Sequence, residues 1–421
     1  MEFDNSSKAV IDIGSQNIVC LLGRRVNGGV QVLGHSRVPS QGVEAGTIVN
    51  MKHLKEAVAT AIHNVEKMAD CEIKEVMVNL SCGRPYSRLV TENYEFKNLT
   101  IVDEDLKQGI KRVRKIHNKG DYVIRAIPID YNLDGVRVKT PVGMSGTQLR
   151  VTYHLVSVNL GAWQNLKRAL NECGLEVIAY VPTPLAAALG VLIDEEFVTG
   201  ITVIDLGAET TSLGIFDNGQ LVHSEQIQNG NSVVTRTIAQ GFMTPMFDAE
   251  RIKIFYGAAV VDGAVTDGDD PTIDVPIIHE SYPTKVAVLK QSVLHQVVTV
   301  PLTEILQEMH RRLQRPEFSR YRHHRIILTG GGSLMAGITQ LVQEIFGQEA
   351  LIRTKVNLHR PPAELNRGNS AVVAGLLIQF IRTPHLSAGR KAFMDLIRDL
   401  KIRRPTIKSK KLLTPQPATN R

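Results

Sequence analysis

The chain has 421 residues, 43% hydrophobic and 22% charged, an ordinary globular composition with length for two to four compact units and a sizeable core. Its four cysteines, Cys20, Cys71, Cys82 and Cys173, form no CxxC pair, which argues against a disulfide framework or a structural metal site and for reduced thiols. The net charge of +7 belongs to one end: residues 385–421 carry ten Lys or Arg against two Asp, so the near-neutral body gives no reason to expect nucleic acid.

Polar Met1–Ser7 lacks the pattern of a secretory signal. From Ala9 the chain reads as an apolar strand, a Gly turn, a second strand, a hairpin at Asn27-Gly28-Gly29 and a third strand. Met51, Leu54, Val58, Ala61, Ile62, Val65 and Met68 recur at helical spacing, and Val76–Leu80 is a short strand after them. From about Arg88 to Val158 the rhythm changes to an inserted α+β unit, with a helix near Asp103 and strands at Tyr122–Ile129 and Leu149–Val158. A helix at Trp163–Cys173 and a strand at Val177–Val181 return to the first pattern. The apolar stretches Ile178–Ile193 and Ala371–Ile381 are broken by proline or too short to span a bilayer.

At Gly200 the opening frame repeats. Asp205-Leu206-Gly207-Ala208 stands 193 residues after Asp12-Ile13-Gly14-Ser15, again as strand, Asp-x-Gly bend, strand, Gly turn and strand. A long-period duplication of this kind predicts two similar lobes. Helices follow at Val234–Phe242 and Phe247–Tyr256, then an acidic, Gly-rich flexible loop at Asp262–Pro271. A helical region over Lys285–Leu313 is expected to break at Pro301. Arg325–Thr329 reads as a strand, Gly330–Ser333 as a turn, and Leu334–Phe346 and Ser370–Ile381 as helices.

The bends carry the chemistry. Glycine lets backbone N–H groups approach an anion, a hydroxyl adds a donor, and the aspartate suits a hydrated Mg²⁺. Asp12, Gly14, Ser15, Gln16 and Asn17 form one candidate phosphate grip. Asp205, Gly207, Thr210 and Thr211, with Gly230, form the other. Gly330, Gly331 and Gly332 would let backbone lie against a base or sugar, with Ser333 as the alternative helix N-cap. Glu250 and Lys253, three apart on a helix, either hold a ribose or form a surface salt bridge.

The order IDIGS, IDLGAETT, AERIKIFYG and LTGGGSLMAG resembles the actin, sugar-kinase and heat-shock-chaperone ATPases. Within them the chain resembles the FtsA family, whose pattern also matches SQGVEAGTIVN, PVGMSGTQLRVTYHLV and EIFGQEALIR, from about Lys8 to Ile381. The resemblance implies an α/β fold of duplicated actin-like, ribonuclease-H-like lobes around a nucleotide cleft. Lobe 1 (subdomain 1A) would cover 8–87 and 161–199, and the inserted subdomain 1C would cover 88–160. Lobe 2 (2A) would cover 200–242 and 319–382, the latter returning to lobe 1, with 2B at 243–318. It implies ATP and Mg²⁺ as cofactors, with Asp12 and Asp205 holding the metal through water. Glu250 and Lys253 would face the ribose and adenine, and Gly330–Gly332 would line the adenosine. The implied partners are the FtsZ C-terminal peptide, further copies of the chain in filaments, later division proteins through 1C, and the inner face of the cytoplasmic membrane. The shared fold leaves a second family open, the pilus-assembly PilM proteins.

The tail, 383–421, holds a candidate membrane helix at 390–404. Phe393, Leu396, Ile397 and Leu400 make an apolar stripe, and Arg398 and Lys401 are among its basic flank. Departures from the family pattern stand beside these matches. Pro405 stops the helix before the chain ends, and Asn17 replaces a frequent Lys. Val181 stands where related chaperone ATPases carry a Glu that helps metal-bound water, so hydrolysis is expected to be slow if it occurs.

Overall fold

A computed structural model describes residues 7–27, 29–96, 100–116, 119–259, 270–278 and 286–383. The loop read at Asp262–Pro271 lies outside the described residues apart from its last two. The tail beyond residue 383, where the candidate helix 390–404 is expected, lies outside them entirely.

The first lobe begins with β1 (Lys8–Ile13), β2 (Asn17–Val26) and β3 (Gly29–Pro39), an antiparallel run. A small hairpin, β4 (Val43–Glu44) and β5 (Thr47–Ile48), leads into α1 (Met51–Ala69). Asn50 caps that helix by accepting from the amides of Lys52 and His53, and Asp70 ends it in the left-handed region. Its buried stripe is Leu54, Ala57, Val58, Ala61, Ile62 and Val65; Met68, at the edge of the predicted stripe, stays exposed. Then β6 (Glu75–Leu80) pairs parallel with β1.

The insertion contains β7 (Tyr86–Glu95), α2 (Asp103–Val113), β8 (Asp121–Leu133), β9 (Val136–Val138) and β10 (Gln148–Asn159). Next come α3 (Leu160–Glu172), β11 (Glu176–Pro182), α4 (Thr183–Val191) and α5 (Asp194–Thr199). The first sheet is ordered β11-β6-β1-β2-β3.

The second lobe repeats this plan. It contains β12 (Ile201–Leu206), β13 (Thr211–Asp217), β14 (Gln220–Ile227), α6 (Ser232–Gly241) and α7 (Met246–Tyr256). They are followed by β15 (Thr272–Pro276), β16 (Val286–Lys290), α8 (Gln291–Leu313) and β17 (Arg325–Thr329). The last elements are α9 (Ile338–Phe346), β18 (Ala350–Ile352) and α10 (Ala371–Arg382). Its strand order, β18-β17-β12-β13-β14, mirrors the first sheet. The correspondence extends to register. Asp12 lies opposite Val19 and Asp205 opposite Ser212, and both second hairpins slip register at matching places, Leu22/Gly23 and Ile215/Phe216.

The lobes join through α4 and α10. A Cβ on Gly375 would lie 1.7 Å from the Ala186 carbonyl oxygen, and one on Gly190 would lie 2.0 Å from that of Ala371, so glycine lets each helix press on the other's backbone. One apolar core runs across this contact from Val10 and Leu21 to Val203 and Ile327.

Two expectations are corrected. Pro301 does not interrupt the helical region: α8 runs through it, while residues 286–290 form β16 instead. Leu294, Val298, Leu302, Ile305, Leu306 and Met309 bury one face of α8, and that packing outweighs the roughly 3 kcal/mol that an interior proline costs. The helix predicted from Leu334 starts only at Ile338. A short 3-10 turn occupies Gly331–Leu334, and the Ala336 carbonyl is held in a strand-like bridge, accepting from Ala259 N at 2.8 Å. Ser333 therefore caps no helix. The insertion also joins the sheet of the second lobe. β14 meets β7 at Glu225 and Tyr86, so nine strands form one sheet, continuing through β10, β8 and β9.

Candidate nucleotide-binding cleft

Both Asp-x-Gly bends have one geometry. Gly14 N donates to Asn17 O at 3.1 Å and Gly207 N donates to Thr210 O at 3.0 Å, closing turns of the same size. A Cβ would stand 2.9 Å from the Asn17 oxygen in the first and 2.6 Å from the Thr210 oxygen in the second, so each tight turn requires glycine. Ser15, Gln16 and Asn17 are partly or fully exposed at the rim of the first bend. Gly230 braces the second: its Cβ position lies 2.7 Å from Ala208 O, while Asn231 N and Ser232 N donate to the carbonyls of Gly207 and Ala208.

The Asp12 and Asp205 carboxyls are near enough for the charge of one to act on the other. Burial first, and then the negative charge of Asp205, push the Asp12 carboxyl up to about 7 against the opposing pull of Arg37. Burial likewise brings Asp205, 8% exposed, to about 7. Charges so coupled share a cleft, each on its own lobe. Ser212 and Thr329 flank Asp205 in register on the neighbouring strands, and both hydroxyls are buried without a partner. The Asn231 amide oxygen is orphaned in the same way. Orphaned polar atoms beside a buried carboxylate fit an incoming hydrated ligand. Two carboxylates with free phosphate oxygens and water would suit Mg²⁺, which takes few protein ligands.

The glycine run closes the floor. Gly330 has φ +84°, and a Cβ there would lie 2.5 Å from Asp205 Oδ1. Gly332 packs on Leu206, whereas Gly331 is exposed, with Asn369 Cβ 3.9 Å from its Cβ position. The Ser333 hydroxyl donates to Gly330 O at 2.7 Å, fixing the turn and not contacting the cleft directly.

Not every predicted residue reaches the site. Thr211 is buried, and its hydroxyl donates to Asn229 O at 2.8 Å, so it braces the second bend instead of offering a phosphate donor. Glu250 and Lys253 are paired at 2.7 Å, but not on the surface. The Lys253 side chain is 6% exposed, and Thr235, which sequence reasoning missed, bridges the pair: it accepts from Lys253 at 2.9 Å and donates to Glu250 at 2.5 Å. Arg37 was also missed. It donates to Ser370 Oγ at 3.0 Å at the start of α10.

Two family models cover separate parts of this architecture. "Cell division protein FtsA" matches residues 202–388, and "SHS2 domain inserted in FTSA" matches residues 84–157. The chain belongs to the FtsA family. Its SHS2 domain is the insertion built from β7 to β10 and α2. The FtsA of Agrobacterium fabrum is 28% identical over 383 residues, 88% of this chain and 86% of that one. That of Rhizobium meliloti is 29% identical over the same shares. That of Escherichia coli K12 is 28% identical over 83% of this chain and 84% of its own length. Among solved structures, a chain of the PilM–PilN type IV pilus biogenesis complex superposes with TM-score 0.63 at 16% identity, covering 90% of this chain and 99% of that one. ADP-bound MreB5 of Spiroplasma citri gives 0.56 at 17%, covering 91% and 99%. At those identities they establish that this FtsA-family chain has the actin-like fold.

Proposed function

We propose that this chain is an ATP-binding division protein that polymerises, tethers FtsZ to the inner face of the cytoplasmic membrane and recruits later division proteins through its SHS2 insertion. The observation that carries the nucleotide half is the convergence of two matching Asp-x-Gly bends on one cleft, with orphaned hydroxyls beside Asp205. Backbone amides of the bends, with Ser15, Gln16 and Thr210, would hold phosphates, and Asp12 and Asp205 would hold Mg²⁺ through water. Gly331 leaves room for the adenosine, with the Glu250–Lys253–Thr235 cluster toward the ribose and adenine. Hydrolysis is at most slow, because Val181 supplies no base. Family membership supports the division role, and the ADP held by the MreB5 neighbour supports the nucleotide. Attachment to the membrane is assigned to the tail, through the amphipathic stretch that its sequence places at 390–404. No helix among the described residues is long and apolar enough to cross a bilayer.

The test is a pull-down of the full chain on an immobilised FtsZ C-terminal peptide with Mg-ATP, beside Asp12→Ala and Gly331→Arg, with nucleotide content measured on each. Retention of the parent on the peptide, and loss of ATP from both variants, is expected. A parent that ignores the peptide refutes the tethering role, and ATP retained by both variants refutes the site.

A further inference from the structure

Two coupled carboxylates already crowd the floor of the cleft, and a polyphosphate entering it adds negative charge. Position 17 offers only a neutral amide. Lys253 is committed to Glu250 and Thr235. Strand register supplies another cation. Asp12 lies opposite Val19, and Val19 lies opposite Arg37, so the three form one row across β1, β2 and β3. Residues directly opposite in a sheet project from the same face, so Asp12 and Arg37 point the same way from backbones two strand spacings, about 9.6 Å, apart. Arg37 is exposed and Val19 between them is short, which leaves the arginine free to lean over it.

The guanidinium is located by its partner. Ser370 opens α10, and the turn before it rests on the glycine run, with the Cβ position of Gly368 3.2 Å from Gly330 O. Arg37 thus runs from the Asp12 row to the segment that packs on the glycine floor. Partial desolvation of the guanidinium, with the like charge of Arg367, weakens its hold on the proton, but the charges of Asp12 and Glu364 oppose that, and an arginine so placed remains a cation. The matching row of the second lobe runs Asp205, Ser212, Gln226, and there the third residue spends its amide on Ser81 O at 2.8 Å.

We propose that Arg37 is the cation of the first phosphate grip, binding nucleotide phosphate oxygens through its planar fork in the role that Asn17 cannot fill. This rests on the nucleotide reading above. Bound phosphate would sit between Arg37 and the first bend, with the metal shielding it from Asp12.

The experiment measures affinity of the full chain for Mg-ATP and for adenosine by calorimetry. Arg37→Ala is expected to weaken ATP roughly tenfold or more, the loss of a charge-assisted contact, and to leave adenosine unchanged. Arg37→Lys should recover part of the ATP affinity. Ser370→Ala, which removes the hydroxyl partner and keeps the guanidinium, should bind ATP nearly as the parent does. Should Arg37→Ala fail to fold, Arg37→Gln carries the same test, keeping a hydrogen-bonding arm without the charge. A parent that does not bind ATP refutes the nucleotide reading itself. A parent that binds, with Arg37→Ala equal to it, overturns the Arg37 assignment alone. Equal loss of ATP and adenosine also overturns it, because a purely structural role would weaken both.

Discussion

Asp12 and Asp205 set the pH behaviour of the cleft. Both carboxyls are raised to about 7 from an ordinary 3.8, chiefly by burial and, for Asp12, also by Asp205. A raised folded-state value means that the associated stability is complete below pH 3.8 and is lost as pH rises through 7. The ligand-free protein should therefore feel the repulsion most at pH 8. Asp12→Asn is expected to raise its melting temperature at pH 8 and to change it much less at pH 5; a shift of equal size at both values would count against the coupling. For Mg-ATP the sign reverses. The metal needs the ionised carboxylates, so calorimetry should find weaker binding at pH 6 than at pH 8. At this scale the bends were legible because Asp-x-Gly is a local pattern whose turn depends on four residues. That the Thr211 hydroxyl is spent on Asn229 O was not legible, since the direction of a side chain at a strand's first residue follows from the partners around it.

Among elements, the crossing of α4 and α10 carries the join between lobes. Gly375 and Gly190 are needed there because each touches a backbone carbonyl, which cannot move aside as a side chain tip can. Gly375→Ala should cost at least the 1–3 kcal/mol, roughly, of an overpacked core, read as a lower urea midpoint. Gly241 is the control. It ends α6 with nothing within 4 Å of its Cβ position, so Gly241→Ala should be neutral or slightly stabilising through helix propensity. Equal destabilisation by both would mean that the close approach is not what matters. The helices themselves were readable from apolar spacing, as in α1. Their limits were not: α8 passes through Pro301 because its face is buried on both sides of the proline, and α9 starts late because Ala336 is held by Ala259.

Across the whole molecule, the lobes touch again at the mouth of the second bend. Glu209 accepts from Ala45 N at 2.7 Å, and Gln228 donates to Ala45 O at 2.8 Å and to Thr47, so the β4–β5 hairpin of lobe 1 rests on the phosphate bend of lobe 2. If the lobes open about α4 and α10, these bonds would act as a clasp over the cleft. Glu209→Ala should remove about 1–1.5 kcal/mol of closure and release a fluorescent ATP analogue about tenfold faster in stopped flow. An unchanged release rate would show that the clasp does not gate the nucleotide. A second seam ties the insertion to lobe 2. Ser87 bonds His223, His223 bonds Glu225, and Arg312 and Arg315 of the α8 end reach the same carboxylate. Burial pushes Glu225 up, yet the His223 bond and the two arginines hold it below the usual range, so this seam keeps its charge at neutral pH.

What the sequence determined by itself was short-ranged: the duplicated strand–bend–strand frame, the amphipathic helices, the glycine run and the change of rhythm that marks the insertion. Each depends on spacing along a few residues, where backbone sterics and apolar periodicity act. The tertiary structure decided the rest. Arg37 shares a row with Asp12 through the register of three strands, Lys253 is buried by Thr235 and its surroundings, and the insertion's strands extend the second lobe's sheet. Those outcomes depend on which segments pair and what covers them, and pairing across a long stretch of chain leaves no mark in the spacing of nearby residues.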